Sequence, residues 1–159
     1  YGADRLNLRI RICAVGRMRQ GPEKTLYDAY AARIRDPITL SEVDVRQKLD
    51  PDRLAAKEAE LLLAAAARAE IIIALDERGD NPSSRDFAAR LAAWRDDGVT
   101  EAAFLIGGAN GLSEMVRKRV RYRLSFGAMT WPHLMVRGLL AEQLYRAQQI
   151  HAGHPYHRD

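Results

Sequence analysis

Ile71-Ile72-Ile73-Ala74-Leu75 is a short uncharged run, β-branched at its first three positions. It fits a strand buried on both faces, the kind found in parallel sheets packed between helices. Upstream, Leu8 to Val15 (LRIRICAV) alternates apolar and basic residues over a strand length and is closed by Gly16. Helical spacing of Leu26, Tyr27, Tyr30, Ala31 and Ile34 predicts a helix from Pro22 to Ile34, stopped by Pro37, with a second strand from Ile38 to Val45. Asp50 is placed to cap a long helix to about Ala69, with Pro51 in its first turn. Downstream, Asp76 to Ser84 reads as a polar loop. Ser83 or Ser84 caps a helix to about Asp97, Ala102 to Ile106 is another buried strand, and Ser113 starts a short basic helix.

The chain ends in RYRLSFGAMTWPHLMVRGLLAEQLYRAQQIHAGHPYHRD, residues 121–159. Tyr122 to Phe126 is β-prone, Gly127 interrupts it, and Pro132 suits the first turn of a helix running to about Ile150. Leu134, Met135, Val136, Leu139, Leu140, Leu144, Tyr145, Ala147 and Ile150 cover more than one helix face, which predicts a subunit contact as well as a core contact. Gly153 and Pro155 end the helix before a dense polar tail, Tyr156-His157-Arg158-Asp159. The strand–helix alternation predicts one α/β domain over 1–159 with a mostly parallel sheet. The leading Tyr1-Gly2-Ala3-Asp4-Arg5 is expected to be disordered or an addition to the natural start, and it carries no weight.

Composition bounds the function. With 47% hydrophobic and 29% charged residues, the 159-residue chain supports a sizeable core. Its 25 basic and 21 acidic residues leave a charge of +4, which permits a nucleic-acid partner without requiring one. Cys13 is the only cysteine, which points to a reducing cytoplasm. No apolar run approaches the roughly 20 residues that span a bilayer, so no membrane partner is expected.

In parallel sheets ligands sit beyond the carboxyl ends of strands, which singles out three loops: 75–79, 106–111 and 126–131. Gly107, Gly108 and Gly111 either expose backbone to a ligand or make a tight turn. Their spacing is not that of a dinucleotide fingerprint. Gly16 and Gly21 have phosphate-loop spacing, but Pro22-Glu23 stands where Lys-Ser/Thr is needed. His151, His154 and His157 recur every third residue, yet Gly153 and Pro155 interrupt any rigid element between them, and no metal is expected. Arg117, Lys118, Arg119, Arg121 and Arg123 put five cations in seven residues, either a phosphate-binding run or a solvated face. Glu142 and Arg146 are spaced for a helical ion pair or, at an interface, for a site.

Four ordered motifs carry a resemblance over nearly the whole chain: LIGGANGLS at Leu105 to Ser113, LSFGAMTWPH at Leu124 to His133, AEQLYRA at Ala141 to Ala147 and HPYHR at His154 to Arg158. Together with the AVG of the first strand and the LDERG loop at Leu75 to Gly79, they closely resemble the RlmH family of SPOUT-class methyltransferases. That resemblance implies methylation of nitrogen 3 of a pseudouridine in large-subunit (23S-type) ribosomal RNA, on the assembled ribosome, by a homodimer using S-adenosylmethionine. It implies a C-terminal deep trefoil knot within 121–159. It places the cofactor against Leu75, Gly107 and the loop Phe126, Gly127, Ala128, Met129, Thr130 and Trp131. It also expects the tail to complete the active site across the subunit interface. Within that frame His157 is the candidate general base, Arg158 or Arg146 the stabiliser of developing negative charge, and Tyr156 a stacking or hydrogen-bonding contact to the nucleoside. Two rivals stand beside this reading: a ribosome- or RNA-binding module without turnover, and a SPOUT enzyme acting on another nucleoside, such as one in tRNA.

Overall fold

Along three strands, side chains alternate between two cores. Ile10, Ile12 and Ala14, Ile71 and Ile73, and Ala102, Phe104 and Ile106 join one apolar cluster, while Cys13 and Val15, Ala74, and Ala103 and Leu105 join another. A strand buried on both faces needs helices on both sides. The computed structural model, which describes residues 5–159, shows them. The elements are β1 (Arg9–Val15), α1 (Pro22–Ala31), β2 (Ile38–Val43), α2 (Pro51–Ala65), β3 (Ile71–Asp80), α3 (Ser84–Asp96), β4 (Glu101–Ile106), α4 (Glu114–Arg119), β5 (Tyr122–Leu124) and α5 (His133–His151). All strands pair in parallel, in the order β2-β1-β4-β3-β5.

Phe87, Leu91 and Trp94 of α3, Tyr27 of α1, and Leu140, Leu144 and Ala147 of α5 cover the first face. Ala59 and Leu62 of α2 and Val116 of α4 cover the second. β3 leads to its neighbour β4, and β4 leads back across β3 to β5, so the chain changes direction at the carboxyl ends of these strands. That is where an open α/β sheet leaves a crevice.

The helix starts follow local chemistry. Asp50 accepts from the Arg53 N–H at 2.9 Å, and Ser83 from the Asp86 N–H at 3.1 Å. Ser113 occupies the N-cap of α4 without making that bond, and Pro132 lies one position before α5 rather than inside it. α1, α2, β2 and β5 end at Ala31, Ala65, Val43 and Leu124, short of the positions read from apolar spacing. The larger correction concerns β3. The expected loop from Asp76 continues as strand to Asp80, because Leu75 and Asp80 both pair with Leu124 and the residues between them bulge outward. Gly79 permits this. A Cβ there would stand 2.6 Å from the Arg123 backbone. Of the residues set aside at the start, 1–4 lie outside the described residues.

α5 holds a residue that periodicity does not reveal. Arg137 is 0% exposed, and its guanidinium bonds Glu42 of β2 at 2.6 Å and the carbonyls of Val15 and Gly16 at 2.9 and 2.8 Å. Glu42 also accepts the Met18 N–H at 2.7 Å. Removing one partner of a buried pair strands the other in a poor environment. Arg137→Ala is therefore expected to lower Tm by on the order of 10 °C in thermal denaturation, while substitution of the exposed Arg53 shifts it by no more than about 2 °C.

Candidate functional site

The carboxyl ends of β3, β4 and β5 and the first turn of α5 enclose a cleft of about 360 Å³. That is the lower part of the range for small-molecule sites, roughly 300–1,000 Å³. Leu75, Gly107, Phe126, Gly127, Met129, Thr130 and Trp131, seven of the eight residues the resemblance assigns to the cofactor, line it. Ala128, the eighth, is exposed and does not.

The glycine run forms the tight turn. Gly111 N–H bonds the Gly108 carbonyl at 2.9 Å, and a Cβ on Gly107 would stand 2.6 Å from the Gly111 carbonyl oxygen. A tight turn thus leaves bare backbone along one wall. Across from it, Gly127 has φ +110°, a conformation other residues rarely adopt. The Ser125 side chain fastens this loop to the β3 bulge. Its hydroxyl lies 3.1 Å from the Glu77 carbonyl and 3.0 Å from that of Gly127, and it accepts the Gly127 N–H at 3.0 Å.

Three further residues line the cleft: Asp76, read only as part of the loop 75–79, Arg117, read only as part of the basic run, and His133, to which sequence reasoning gave no role. Asp76 immediately follows Leu75, and its side chain is 4% exposed. It accepts from Arg117 Nε at 3.0 Å and from the Arg78 N–H at 3.0 Å, with Arg123 Nη1 at 3.6 Å. Burial alone would raise its pKa. The Arg78 N–H and the two guanidiniums outweigh that and hold it below the ordinary value of 3.8. The only advance signal was an acid at a strand's carboxyl end.

The basic run 117–123 accordingly divides. Arg117 and Arg123 turn to Asp76, Lys118 and Arg119 are exposed, and Arg121 lines a separate groove with Tyr122 and Arg90.

The four candidate catalytic residues lie elsewhere on the chain. Arg146 grips Glu142 with two bonds, at 3.0 and 2.9 Å, and Tyr156 donates to the same carboxylate at 3.1 Å. Burial and that carboxylate push the Tyr156 phenol well above its usual pKa. Arg146 Nη1 lies 3.1 Å from His157 Nδ1, and His157 Nε2 lies 3.0 Å from Asp159, itself bonded to Arg85 at 2.7 Å. A guanidinium can only donate, so Nδ1 accepts and Nε2 carries the proton. Arg158 is exposed. None of the four lines the cleft. Glu142 is nine residues beyond His133, about 13 Å along α5.

The three tail histidines serve separate ends: His151 Nε2 meets the Ala88 carbonyl at 2.7 Å, and His154 accepts the Tyr156 N–H at 3.1 Å. Among the described residues no group of three His, Cys, Asp or Glu is arranged to hold a metal. Nor is any described helix long and apolar enough to cross a membrane.

Residues 8–157 match a family model described as "Predicted SPOUT methyltransferase". The chain belongs to the SPOUT methyltransferase family. Its place in the RlmH branch follows from curated relatives named ribosomal RNA large subunit methyltransferase H. The relative from Rhodospirillum centenum is 53% identical over 151 residues, covering 95% of this chain and 99% of its own. That from Paramagnetospirillum magneticum is 51% identical over the same extent. Solved structures show the shared fold. A "probable methylase family protein" from Haemophilus influenzae Rd KW20 superposes with a TM-score of 0.61 at 16% identity, covering 96% of this chain and 71% of that one. A "Probable Methyltransferase" from Bordetella pertussis Tohama I gives 0.60 at 18% identity, covering 90% and 98%.

A carboxylate with a depressed folded-state pKa contributes stability above its ordinary value, and that contribution disappears as pH falls through the folded value. Thermal stability should thus fall more steeply below about pH 4 in the wild type than in Asp76→Asn, which at neutral pH should already be on the order of 2 kcal/mol less stable. Parallel slopes in a Tm–pH series would show that Asp76 carries none of the acid sensitivity.

Proposed function

We propose that the chain methylates nitrogen 3 of a pseudouridine in large-subunit ribosomal RNA, on the assembled ribosome in the cytoplasm, using S-adenosylmethionine. The observation that carries this reading is the convergence of the three strand-end loops on one cleft, in a chain more than half identical to ribosomal RNA large subunit methyltransferases H. The cleft suits a nucleoside cofactor without a phosphate: Leu75 and Phe126 offer apolar surface, Gly107 and Gly127 offer backbone, and no phosphate loop is present. When bound, the cofactor supplies a methyl group on an electrophilic sulfonium.

The chain's own part is to position the acceptor and remove its proton. An imide N–H flanked by two carbonyls is a poor nucleophile until the proton leaves. His157 is the candidate base: its Nδ1 lone pair, which accepts from Arg146 in the resting arrangement, takes the proton once Arg146 turns to the substrate, while Asp159 holds the Nε2–H. Arg146 or Arg158 balances the charge that appears on the carbonyls, and Tyr156 contacts the nucleoside.

A homodimer joins tail and cleft. Leu134, Met135 and Leu139 are only partly covered, and Trp131 and Met129 beside them are 41% and 78% exposed. A second copy with α5 antiparallel would cover this surface and bring its tail, at the far end of its own helix, toward this cleft. Threading of residues 121–159 into a trefoil knot fits the close passage of the loop 125–131 past the β3 bulge.

The deciding experiment is methyl transfer from labelled S-adenosylmethionine to ribosomes, separated subunits and protein-free rRNA, followed by nucleoside analysis. Label is expected in 3-methylpseudouridine on ribosomes. Cofactor binding without label on any of them would favour the binding-module reading, or a different RNA. His157→Ala should lose at least about tenfold in rate with cofactor affinity unchanged; an unaltered rate would remove His157 from the chemistry. Mixing equal amounts of two inactive chains, Gly107→Val and His157→Ala, should restore about a quarter of wild-type activity, because half the dimers then contain one intact composite site. No recovery after confirmed subunit exchange would assign tail and cleft to the same chain.

A further inference from the structure

His133 lines the cleft from the first position of α5, with Nε2 3.8 Å from the point where a Cβ on Gly16 would stand and Arg137 Nη2 3.9 Å from the same point. We propose that His133 is a specificity residue that must stay uncharged for the cleft to accept the sulfonium of S-adenosylmethionine, and that protonating it rejects this cofactor while sparing its neutral thioether product. The inference rests on the cofactor reading above.

The surroundings of the ring argue one way. On its own helix the next turn carries Arg137, buried and cationic, with Glu42 of β2 already engaged at 2.6 Å. From β3 the cleft receives Asp76, Glu77 and Arg78, and from α4 Arg117. Asp76 is matched by Arg117 and Arg123, and among the described residues no carboxylate pairs with the His133 ring. A helix N-terminus also disfavours a cation. Burial first, and Arg137 second, lower the His133 pKa from its ordinary 6.5, so the ring is neutral at physiological pH.

The neighbours on that side, Phe126, Trp131 and Val136, are apolar or aromatic, a setting in which a sulfonium is tolerated and a second cation is not. On the Arg117 wall Asp76 and its arginines already engage one another, so its carboxylate is not free for a further cation. The His133 side, with the aromatic surface of Phe126 and Trp131, is therefore the one suited to the positive sulfur. Two unit charges a few ångströms apart in a half-buried cleft repel by enough to cost at least about tenfold in affinity.

S-adenosylhomocysteine lacks only the methyl and the charge, so comparing the two ligands isolates the effect. Calorimetric Kd values for both should be measured on the full chain at about pH 7.5 and about pH 5. In the wild type the ratio of the S-adenosylmethionine Kd to the S-adenosylhomocysteine Kd should rise at least about tenfold on acidification. In His133→Asn it should stay flat. In His133→Lys it should be high at both pH values with S-adenosylhomocysteine still bound. A wild-type ratio that stays flat down to a pH at which NMR shows the His133 ring protonated, or an acid rise that survives in His133→Asn, overturns the proposal even if His133→Lys does not fold. Absence of binding by either ligand to the wild type at neutral pH would overturn the cofactor reading and this inference with it.

Discussion

Everything around the cleft depends on one fully buried guanidinium. Placing an arginine out of water is costly, and the cost is offset only when its donors find good acceptors. Here Arg137 meets the Glu42 carboxylate and the carbonyls of Val15 and Gly16, so a single side chain binds α5 to the carboxyl ends of β1 and β2. Those carbonyls lie where the parallel ladder runs out and buried acceptors need donors. The same carboxylate holds the Met18 N–H, which fixes the chain leaving β1. An apolar residue at 137 would pack but leave the Val15 and Gly16 carbonyls without this donor.

The cleft and the tail cluster lie apart on the chain. One wall of the cleft is ionic but already paired, because Asp76 engages Arg117 and, at longer range, the half-exposed Arg123. The opposite wall is aromatic and neutral. At the far end of α5 the tail forms a closed chain of partners from Arg85 through Asp159, His157 and Arg146 to Glu142 and Tyr156. Tyr145 packs on Tyr156 with ring centroids 4.8 Å apart, and Arg146 lies 4.8 Å over that same ring. The tail is therefore a prearranged group rather than a frayed end.

Much of this was legible in the residues. The run Ile71 to Leu75 announced a two-sided strand, and the strand ends pointed to the loops that meet in the cleft. The β3 bulge was not legible, since Asp76 to Asp80 has loop composition and becomes strand only because Leu124 pairs on either side of the bulge, with Leu75 and with Asp80. Arg137 was also hidden. A cation within an amphipathic pattern reads as solvent-facing, and its burial is set by Glu42, 95 positions away. The division of the basic run at 117–123 had the same cause, because a single acid brought in by the sheet decides which cations remain available. Local periodicity reports faces, whereas partners across the sheet decide charges.

The strand order has a consequence for how the protein comes into being. β1 lies between β2, which follows it closely, and β4, so that Ile10 must wait for Ala102 before its second edge is covered. At translation rates of about 5–20 residues per second, that wait lasts on the order of 5–20 s. Arg137 is made later still, after all five strands. The nascent chain thus carries an open strand edge on β1 until β4 has been made, and neither the cleft nor the anchor of α5 can form until β5 and the first turns of α5 have followed. Slow-codon placement and early chaperone contact would bear on this protein chiefly in the interval between β2 and β4, when an unpaired strand is most able to find the wrong neighbour.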